Sequence, residues 1–206
     1  MRIDTIVVGS YQTNCYIVSD EETNHAFIVD PGFEAERIQK TIKKKGYLPQ
    51  FIVNTHGHAD HIGGNYAFNL PIYIHEDAAD LLTDSSRNLS LYHGAEIVSP
   101  KASRILKHGD KISFGKTTVE VLHTPGHTPG CICLKIDSIL FTGDTLFRES
   151  IGRTDLPDGN SRQILASIKK RLLPLSDGYK VYPGHGPESD LGWEKKHNFY
   201  ISSRME

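Results

Sequence analysis

The strongest constraint on the fold is the order of strand-like and helix-like segments, which runs twice through several strands and then into a helix. Strand patterns are short apolar or alternating runs bounded by turn residues, whereas helical patterns repeat apolar residues at helical spacing. In chain order the segments are RIDTIVVG, NCYIVSD, HAFIVD, the helical EAERIQKTIKKKG, FIVN and PIYIH, then KISFG, TTVEVLH, CICLKI, SILFTGD, the helical SRQILASIKKRLLPL and YKVYPGHG. Two such halves predict an α/β fold of the αββα type, a sandwich of two packed mixed β-sheets with helices outside.

Two shorter helices are expected between these strands, from about Asp60 to Phe68 and from about Glu76 to Thr83. Between Asp84 and Pro100 the pattern is irregular. Because long irregular loops in compact domains usually carry function, this loop is expected to do so, and the residues around Asn88 to Tyr92 are expected to line a pocket.

Length and composition favour one soluble domain spanning residues 1–206. Hydrophobic residues make up 38% and charged residues 23% of the chain, which is ordinary for a globular protein. The formal net charge of −2 gives no support for nucleic-acid binding. The chain shows neither the long apolar region of a signal peptide nor the roughly 18 apolar residues of a membrane span, so a cytoplasmic protein with no membrane partner is expected. Its oligomeric state stays open.

Three cysteines cannot form a closed set of disulfides. Cys131 and Cys133 stand two positions apart in a strand pattern, where buried packing is the favoured role.

The segment NTHGHADHIGGN follows the apolar run FIV and holds four side chains that can bind metals: His56, His58, Asp60 and His61. Two histidines at positions i and i+2 of extended backbone point the same way, while Asp60 and His61 fall at a helix start and face elsewhere. One loop can therefore serve two metal ions. The alternative for Asp60 is a helix N-cap.

Three further candidates stand beside glycine at strand ends: His127 in TPGHTPG, Asp144 in LFTGDT and His185 in YPGHGP. A catalytic zinc ion needs at least three protein ligands and keeps a position for water, so the first loop alone is not enough. A single histidine is usually an ordinary surface residue, but a compact motif and three Gly-flanked strand ends together predict a metal centre.

These motifs, with VDPG near the start, resemble the metallo-β-lactamase superfamily, and within it the glyoxalase II (hydroxyacylglutathione hydrolase) branch. The branch resemblance depends on GDTLFRESIGRTDLPDG and LGWEKKHNFYI. Glyoxalase II enzymes carry a helical C-terminal domain, which this chain is expected to lack.

The resemblance implies two divalent metal ions, with zinc expected and iron or manganese as alternatives. It implies that one ion is bound by His56, His58 and His127 and the other by Asp60, His61 and His185, with Asp144 bridging both. Asp60 and Asp144 are the carboxylates implied in catalysis. Two cations lower the pKa of a shared water, so a metal-bridging hydroxide can attack a thioester carbonyl.

Further roles follow from the same resemblance. Asp30 and His123 are expected to orient ligand imidazoles through hydrogen bonds, with a turn or strand-end role as the alternative. Arg153 in GRTD is expected to bind a carboxylate of the substrate, with a surface salt bridge as the alternative.

The expected function is a metal-dependent hydrolase, a thioesterase acting on hydroxyacyl-glutathione-like small molecules. GRTD also resembles persulfide dioxygenases, in which His56, His127 and Asp144 would hold a single iron. A metal-binding module without catalytic activity is the third interpretation.

Overall fold

The computed structural model describes residues 1–202, apart from the side chain of His93. The first sheet has six strands in the spatial order β1-β2-β3-β4-β5-β6. It is mixed, because the first three strands pair antiparallel and the last four pair parallel. The strands are β1 (Arg2–Val8), β2 (Thr13–Ser19), β3 (His25–Val29), β4 (Leu48–Val53), β5 (Ile72–His75) and β6 (Arg104–Leu106).

The second sheet also has six strands, in the order β14-β13-β10-β9-β8-β7. Its one parallel pair joins β10 to β13, and the other pairs are antiparallel. The strands are β7 (Lys111–Phe114), β8 (Thr117–His123), β9 (Ile132–Ile136), β10 (Ile139–Gly143), β13 (Lys180–Pro183) and β14 (Ser189–Asp190), while β11 (Leu146–Phe147) and β12 (Ser150–Ile151) form a separate small hairpin.

The α-helices are α1 (Ala35–Lys45), α2 (Ala59–Ile62), α3 (Ser161–Ser167), α4 (Leu191–His197) and α5 (Phe199–Ser202). Helix α3 begins at the N-cap Asn160, whose side chain accepts a hydrogen bond from Gln163 N at 3.0 Å, and it continues into a π-helix, Ile168–Leu172. No helix among residues 1–202 has the length and apolar character needed to cross a bilayer.

Three short segments differ from the expected helices. The helix expected from Asp60 to Phe68 is instead α2 followed by a 3₁₀ turn, Asn65–Ala67, because Gly63 and Gly64 separate them. The helix expected from Glu76 is a 3₁₀-helix, Glu76–Leu82, and the irregular loop contains another, Ser90–His93.

Strand β2 shows how the layers pack, because all of its residues are buried. Tyr16 and Val18 point into the core between the sheets, where they meet Phe141 and Val121. The alternate residues Cys15 and Ile17 pack on the other face, in the cluster that includes Ile38 of α1. A third cluster joins the outer face of the second sheet to α3 and α4. The predicted αββα sandwich is therefore confirmed.

Candidate metal centre

Three histidines from two loops converge at one edge of the sandwich. His56 and His58 lie in the loop after β4, and His127 lies in the loop after β8. His58 Nδ1 is 3.1 Å from His56 Nε2 and 3.0 Å from His127 Nε2, and all three side chains are buried. The expectation that His56 and His58 point the same way is confirmed.

Hydrogen bonds on the far side of two rings fix which nitrogen faces the centre. The Thr55 hydroxyl donates its one hydrogen to Asp30 Oδ2 at 2.6 Å, so it accepts from His56 Nδ1 at 3.2 Å. His127 Nδ1 donates to the carbonyl oxygen of Arg153 at 2.7 Å. Both Nε2 atoms therefore present bare lone pairs to the centre, which is the tautomer that a metal ligand needs.

Burial favours the neutral form of His56 and His58. Desolvation, and then the neighbouring His127, lower the pKa of His58 to about 3. The pKa of His56 is also lowered by its complete burial and by the histidines around it. Neutral imidazoles are the form that binds cations.

Asp60, His61 and His185 form a second group beside the first. His61 Nε2 lies 3.2 Å from His185 Nε2 and 3.4 Å from Asp60 Oδ2, and His185 Nε2 lies 3.3 Å from the same oxygen. The N-cap residue of α2 is His58, and no side chain caps the helix, so the alternative of Asp60 as an N-cap is wrong. The carboxylate of Asp60 instead accepts a hydrogen bond from Thr13 Oγ1 at 3.0 Å.

The Nδ1 atoms of His61 and His185, which point away from the centre, are also hydrogen-bonded. His61 Nδ1 donates to Asp30 Oδ2 at 2.9 Å, and His185 Nδ1 donates to the carbonyl oxygen of Tyr11 at 3.0 Å. Burial alone would lower the pKa of both rings, but nearby carboxylates outweigh it and raise the pKa of His61 to about 9 and that of His185 to about 11. The position between these side chains therefore attracts positive charge.

Asp144, at the end of β10, lies between the two groups. Its Oδ1 is 3.4 Å from His61 Nε2, and its Oδ2 is 3.5 Å from both His127 Nε2 and His185 Nε2. Burial alone would raise its pKa, but His61 and His185 outweigh it and hold the pKa below its usual range. Asp144 Oδ1 is the one buried side-chain oxygen or nitrogen among the described residues that has no hydrogen-bond partner.

The donor set fits two divalent cations. Within the described residues, the groups of ligand atoms lying within 4.8 Å of one another include His56–His58–His127, His56–His61–Asp144 and Asp60–His61–His185. A buried carboxylate oxygen without a donor costs free energy, and a cation would remove that cost. Five ring nitrogens and two carboxylates pointing at the same space give the nitrogen and oxygen ligands that zinc and iron accept.

The carboxylate of Asp30 lies where it was expected, against a ligand imidazole. Besides His61, it accepts hydrogen bonds from Thr55 N at 2.7 Å and from the Thr55 hydroxyl. Asp30 follows β3 and has a φ of 48°, a left-handed conformation that few residues other than glycine, asparagine and aspartate adopt. It joins the ends of β3 and β4 to the His61 ring.

The expectation for His123 is wrong, because its ring contacts no ligand imidazole. His123 Nε2 donates to the carbonyl oxygen of Pro129 at 2.8 Å, and the ring stacks on His75 with centroids 3.8 Å apart. Strand alternation turns His123 to the same side as Val121, towards the end of β5 in the opposite sheet. His127 is four positions further on, after the chain has turned.

A cavity of about 460 Å³ opens over the centre. Arg153 lines it, and so do Leu89 and Tyr92, in agreement with the expectation for the irregular loop. Sequence reasoning did not find Tyr11, Phe147, Ile151 and Leu156, which complete its apolar wall. Tyr11 precedes β2 and Phe147 lies in the small hairpin. Neither residue belongs to a metal-binding motif, so the sequence carries no signal that places them at the cavity.

Two other expectations concern side chains around the centre. Arg153 pairs with Asp155 through Nε and Nη2, each at 2.8 Å from a carboxylate oxygen, and both side chains are exposed.

Cys131 and Cys133 are buried, and burial raises the pKa of their thiols to about 12 and about 11. Their expected role in buried packing is confirmed, since the residues are 1% and 0% exposed.

Comparison with known proteins agrees with this geometry. A family model for the metallo-β-lactamase superfamily matches residues 8–185. The probable metallo-hydrolase YqgX of Bacillus subtilis is 36% identical over 210 residues, covering 98% of this chain and 98% of the relative. The hydroxyacylglutathione hydrolase GloC of Haemophilus influenzae is 34% identical over 216 residues, covering 99% of this chain and 100% of GloC. The chain belongs to the metallo-β-lactamase superfamily, and these relatives support a metal-dependent hydrolase.

Solved structures show the same fold. The BLEG-1 B3 metallo-β-lactamase is 36% identical with a TM-score of 0.93, covering 98% of this chain and 100% of that one. TTHA1623 in a di-iron-bound form is 35% identical with a TM-score of 0.85 and coverage of 96% and 99%. ETHE1 from Myxococcus xanthus is 27% identical with a TM-score of 0.83 and coverage of 98% and 85%.

Proposed function

We propose that the protein is a binuclear metal-dependent hydrolase that cleaves thioesters of hydroxyacyl-glutathione or of another small thiol. The observation that carries the proposal is the position of Asp144 between the two donor groups: Oδ1 lies 3.4 Å from His61 Nε2, and Oδ2 lies 3.5 Å from both His127 Nε2 and His185 Nε2. The relative GloC, named a hydroxyacylglutathione hydrolase, supports the substrate class.

His56, His58 and His127 would hold one ion, Asp60, His61 and His185 the other, and Asp144 would bridge them. When bound, two divalent cations supply Lewis acidity and a deprotonated water at neutral pH, so no Ser or Cys nucleophile is required. Zinc is the proposed metal, and the di-iron form of TTHA1623 supports iron as the alternative.

The protein groups around the centre have the task of holding the ligands and the substrate. Asp30 and the carbonyl oxygen of Tyr11 keep the His61 and His185 rings in the ligand tautomer, and Thr13 fixes the Asp60 carboxylate. The cavity wall formed by residues such as Tyr92 and Phe147 packs the apolar parts of a substrate and excludes water from the reacting carbonyl. The site is therefore suited to an acyl group with an extended carrier.

Arg153 is the proposed contact for a carboxylate of the thiol carrier. The Arg153–Asp155 pair uses Nε and one hydrogen of Nη2, so the guanidinium keeps further N–H donors for a second carboxylate. Arg153 lines the cavity and its side chain is exposed, so an incoming anion can reach it.

Persulfide oxidation at a single iron is the second candidate. Two histidines and one carboxylate are the ligand set of many non-haem iron oxygenases. Asp144 forms such a set with His56 and His61, and its Oδ2 also lies 3.5 Å from Nε2 of His127, the second histidine expected in this reading. This candidate predicts one iron per chain and oxygen consumption with a thiol persulfide.

One experiment separates these functions. Metal content is measured in purified protein, and the same preparation is assayed for thiol release from S-lactoylglutathione and simpler acyl thioesters, for oxygen uptake with glutathione persulfide, and for hydrolysis of the β-lactam nitrocefin. The proposal predicts two ions per chain and thiol release without oxygen uptake. Oxygen uptake with iron alone, or β-lactam hydrolysis without thioesterase activity, would contradict it.

The variant Asp144→Asn should lose bound metal and thiol release together, because it removes the carboxylate that faces both groups. Asp137→Asn is the matched control, since Asp137 is an exposed hairpin residue away from the centre. Normal metal content and activity in Asp144→Asn would refute the bridging role.

A further inference from the structure

A second cluster of metal-capable side chains lies outside the seven residues described above. His75 ends β5 in the first sheet, Asp77 lies in the 3₁₀-helix that follows it, and His123 ends β8 in the second sheet. The two imidazole rings stack with centroids 3.8 Å apart and planes 14° apart. None of the three lines the cavity over the centre.

Both rings face the same carboxylate. Asp77 Oδ2 lies 3.6 Å from His75 Nδ1 and 3.9 Å from His123 Nε2, and one ligand atom from each residue lies within 4.8 Å of the others. These separations are only slightly wider than the 3.2–3.4 Å that separate the ligand atoms of His61 from His185 and Asp60. Two imidazoles and one carboxylate form a donor set for borderline divalent cations such as zinc.

Burial and charge also suit a cation. The His75 side chain is 3% exposed, whereas the Asp77 and His123 side chains are 51% and 24% exposed, so an ion can approach from solvent. Burial, and then the nearby His123, lower the pKa of His75, which leaves that ring neutral and able to bind a metal.

Binding would replace two hydrogen bonds to the backbone. His75 Nδ1 now accepts from Asp77 N at 3.2 Å, and His123 Nε2 donates to the Pro129 carbonyl oxygen. The rings would rotate out of the stack so that the ion lies in both ring planes, and the partial exposure of His123 leaves room for this rotation.

We propose that His75, Asp77 and His123 bind a divalent transition-metal ion of the zinc class. The ion would link the first sheet to the second at the start of the loop that leads from His123 to His127. This site is independent of the proposed thioesterase activity, because it shares no ligand with the seven-residue centre.

The test uses holoprotein whose active-centre ions are already bound. Zn²⁺ is titrated against a chelating indicator, and bound zinc is counted by elemental analysis. Wild-type protein should take up one further equivalent, and Asp77→Asn and His123→Gln should lose it while keeping the active-centre ions. His108→Gln is the control, because His108 is an exposed histidine that does not belong to the cluster.

His75 is left unchanged because it is buried and its replacement could unfold the protein. Added Zn²⁺ should also raise the Tm of wild-type holoprotein but not that of His123→Gln, since a ligand that binds only the folded state stabilises it. In Asp144→Asn the further equivalent should persist, which separates this site from the active centre.

Three results would overturn the proposal. The first is that wild-type holoprotein takes up no further zinc. The second is that Asp77→Asn and His123→Gln bind the further zinc as wild type does. Loss of the further equivalent in His108→Gln alone would assign it to an exposed histidine instead.

Discussion

Asp30 Oδ2 lies 2.9 Å from His61 Nδ1, and both side chains are fully enclosed by the protein. The same carboxylate accepts from Thr55 N and from the Thr55 hydroxyl, which in turn accepts from His56. Asp30 is thus connected to one histidine in each donor group. A change at Asp30 is therefore transmitted to both groups through hydrogen bonds.

Replacing Asp30 with Asn should weaken metal binding by roughly 10–100-fold, the usual cost of losing an outer hydrogen-bond partner of a metal ligand. The amide is weaker as an acceptor from His61, and its NH₂ group opposes the donors of Thr55. Asparagine tolerates the left-handed φ of 48° at this position, so the backbone conformation is retained. Affinity is measured by competition with a chelator of known strength.

Asp137→Asn provides the control for this measurement, because Asp137 also has a positive φ but lies in an exposed turn. Equal metal affinities in the two variants and wild type would show that the Asp30–His61 hydrogen bond does not orient the ligand.

The backbone at Gly184 approaches the Asp144 carboxylate closely. A Cβ at this position would lie 2.2 Å from Asp144 Oδ1 and 2.9 Å from His61 Cε1, well inside contact distance. Gly184→Ala should therefore displace the carboxylate and reduce both metal content and hydrolysis, with a smaller effect on folding. Elemental analysis and circular dichroism test the two parts.

Gly178→Ala is the matched substitution, since a Cβ there meets no atom within 4 Å. It should retain metal and activity. If Gly184→Ala also keeps its full metal content, the centre is more tolerant of displacement at Asp144 than the contact distances indicate.

Features of the site that depend on one segment of the chain were predictable from the sequence, whereas contacts between distant segments were not. The relation between His56 and His58 was predictable because alternation in extended backbone fixes which side chains share a face. His127, Asp144 and His185 were found because each follows a strand and stands beside glycine. Such rules describe a residue and its own segment.

The errors arose where a contact depends on another segment. Alternation assigns His123 to the inner face of its strand, but only the packing of the two sheets brings His75 opposite it. The Tyr11 carbonyl meets His185 across 174 positions, and no side-chain motif marks a backbone acceptor. Strand β6 was also missed, because its three residues, Arg104–Leu106, are too few to show alternation.

Arg153→Ala should raise KM for an anionic thioester by about tenfold, the low end of the ~1.5–3 kcal/mol expected for a hydrogen bond to a charged group, and should lower kcat less. The substitution leaves the carbonyl oxygen of Arg153 in place for His127, so metal content should not change. Steady-state kinetics with an anionic and an uncharged thioester test this expectation.

Asp155→Asn should lower KM for the anionic thioester or leave it unchanged, because it weakens the carboxylate that competes for Arg153. If Arg153 only pairs with Asp155 and does not contact the substrate, KM should be unaltered in both variants. Stability should also change little, because an exposed salt bridge contributes only about 0–1 kcal/mol. That result would assign Arg153 to the surface rather than to substrate binding.

Asp20 links two hairpins through its carboxylate. It accepts hydrogen bonds from the backbone N–H groups of Lys116, Thr23 and Glu22, each at 2.9 Å. These hydrogen bonds, those from Lys116 and Thr23 above all, hold its pKa well below the usual range. In the unfolded chain the pKa of Asp20 returns to about 3.9.

A lowered pKa in the folded state makes stability depend on pH in one direction. Above about pH 4, Asp20 is ionised in both states and its contribution to the free energy of unfolding is complete. As the pH falls below that value, the unfolded state binds the proton first and the contribution is progressively lost. Asp20→Asn should therefore lower stability at pH 7 and flatten the loss of stability below pH 4, as measured by urea unfolding across the pH range. Asp137→Asn should leave both the stability at pH 7 and the slope in acid as they are in wild type. A wild-type slope in Asp20→Asn would mean that other carboxylates cause the acid sensitivity.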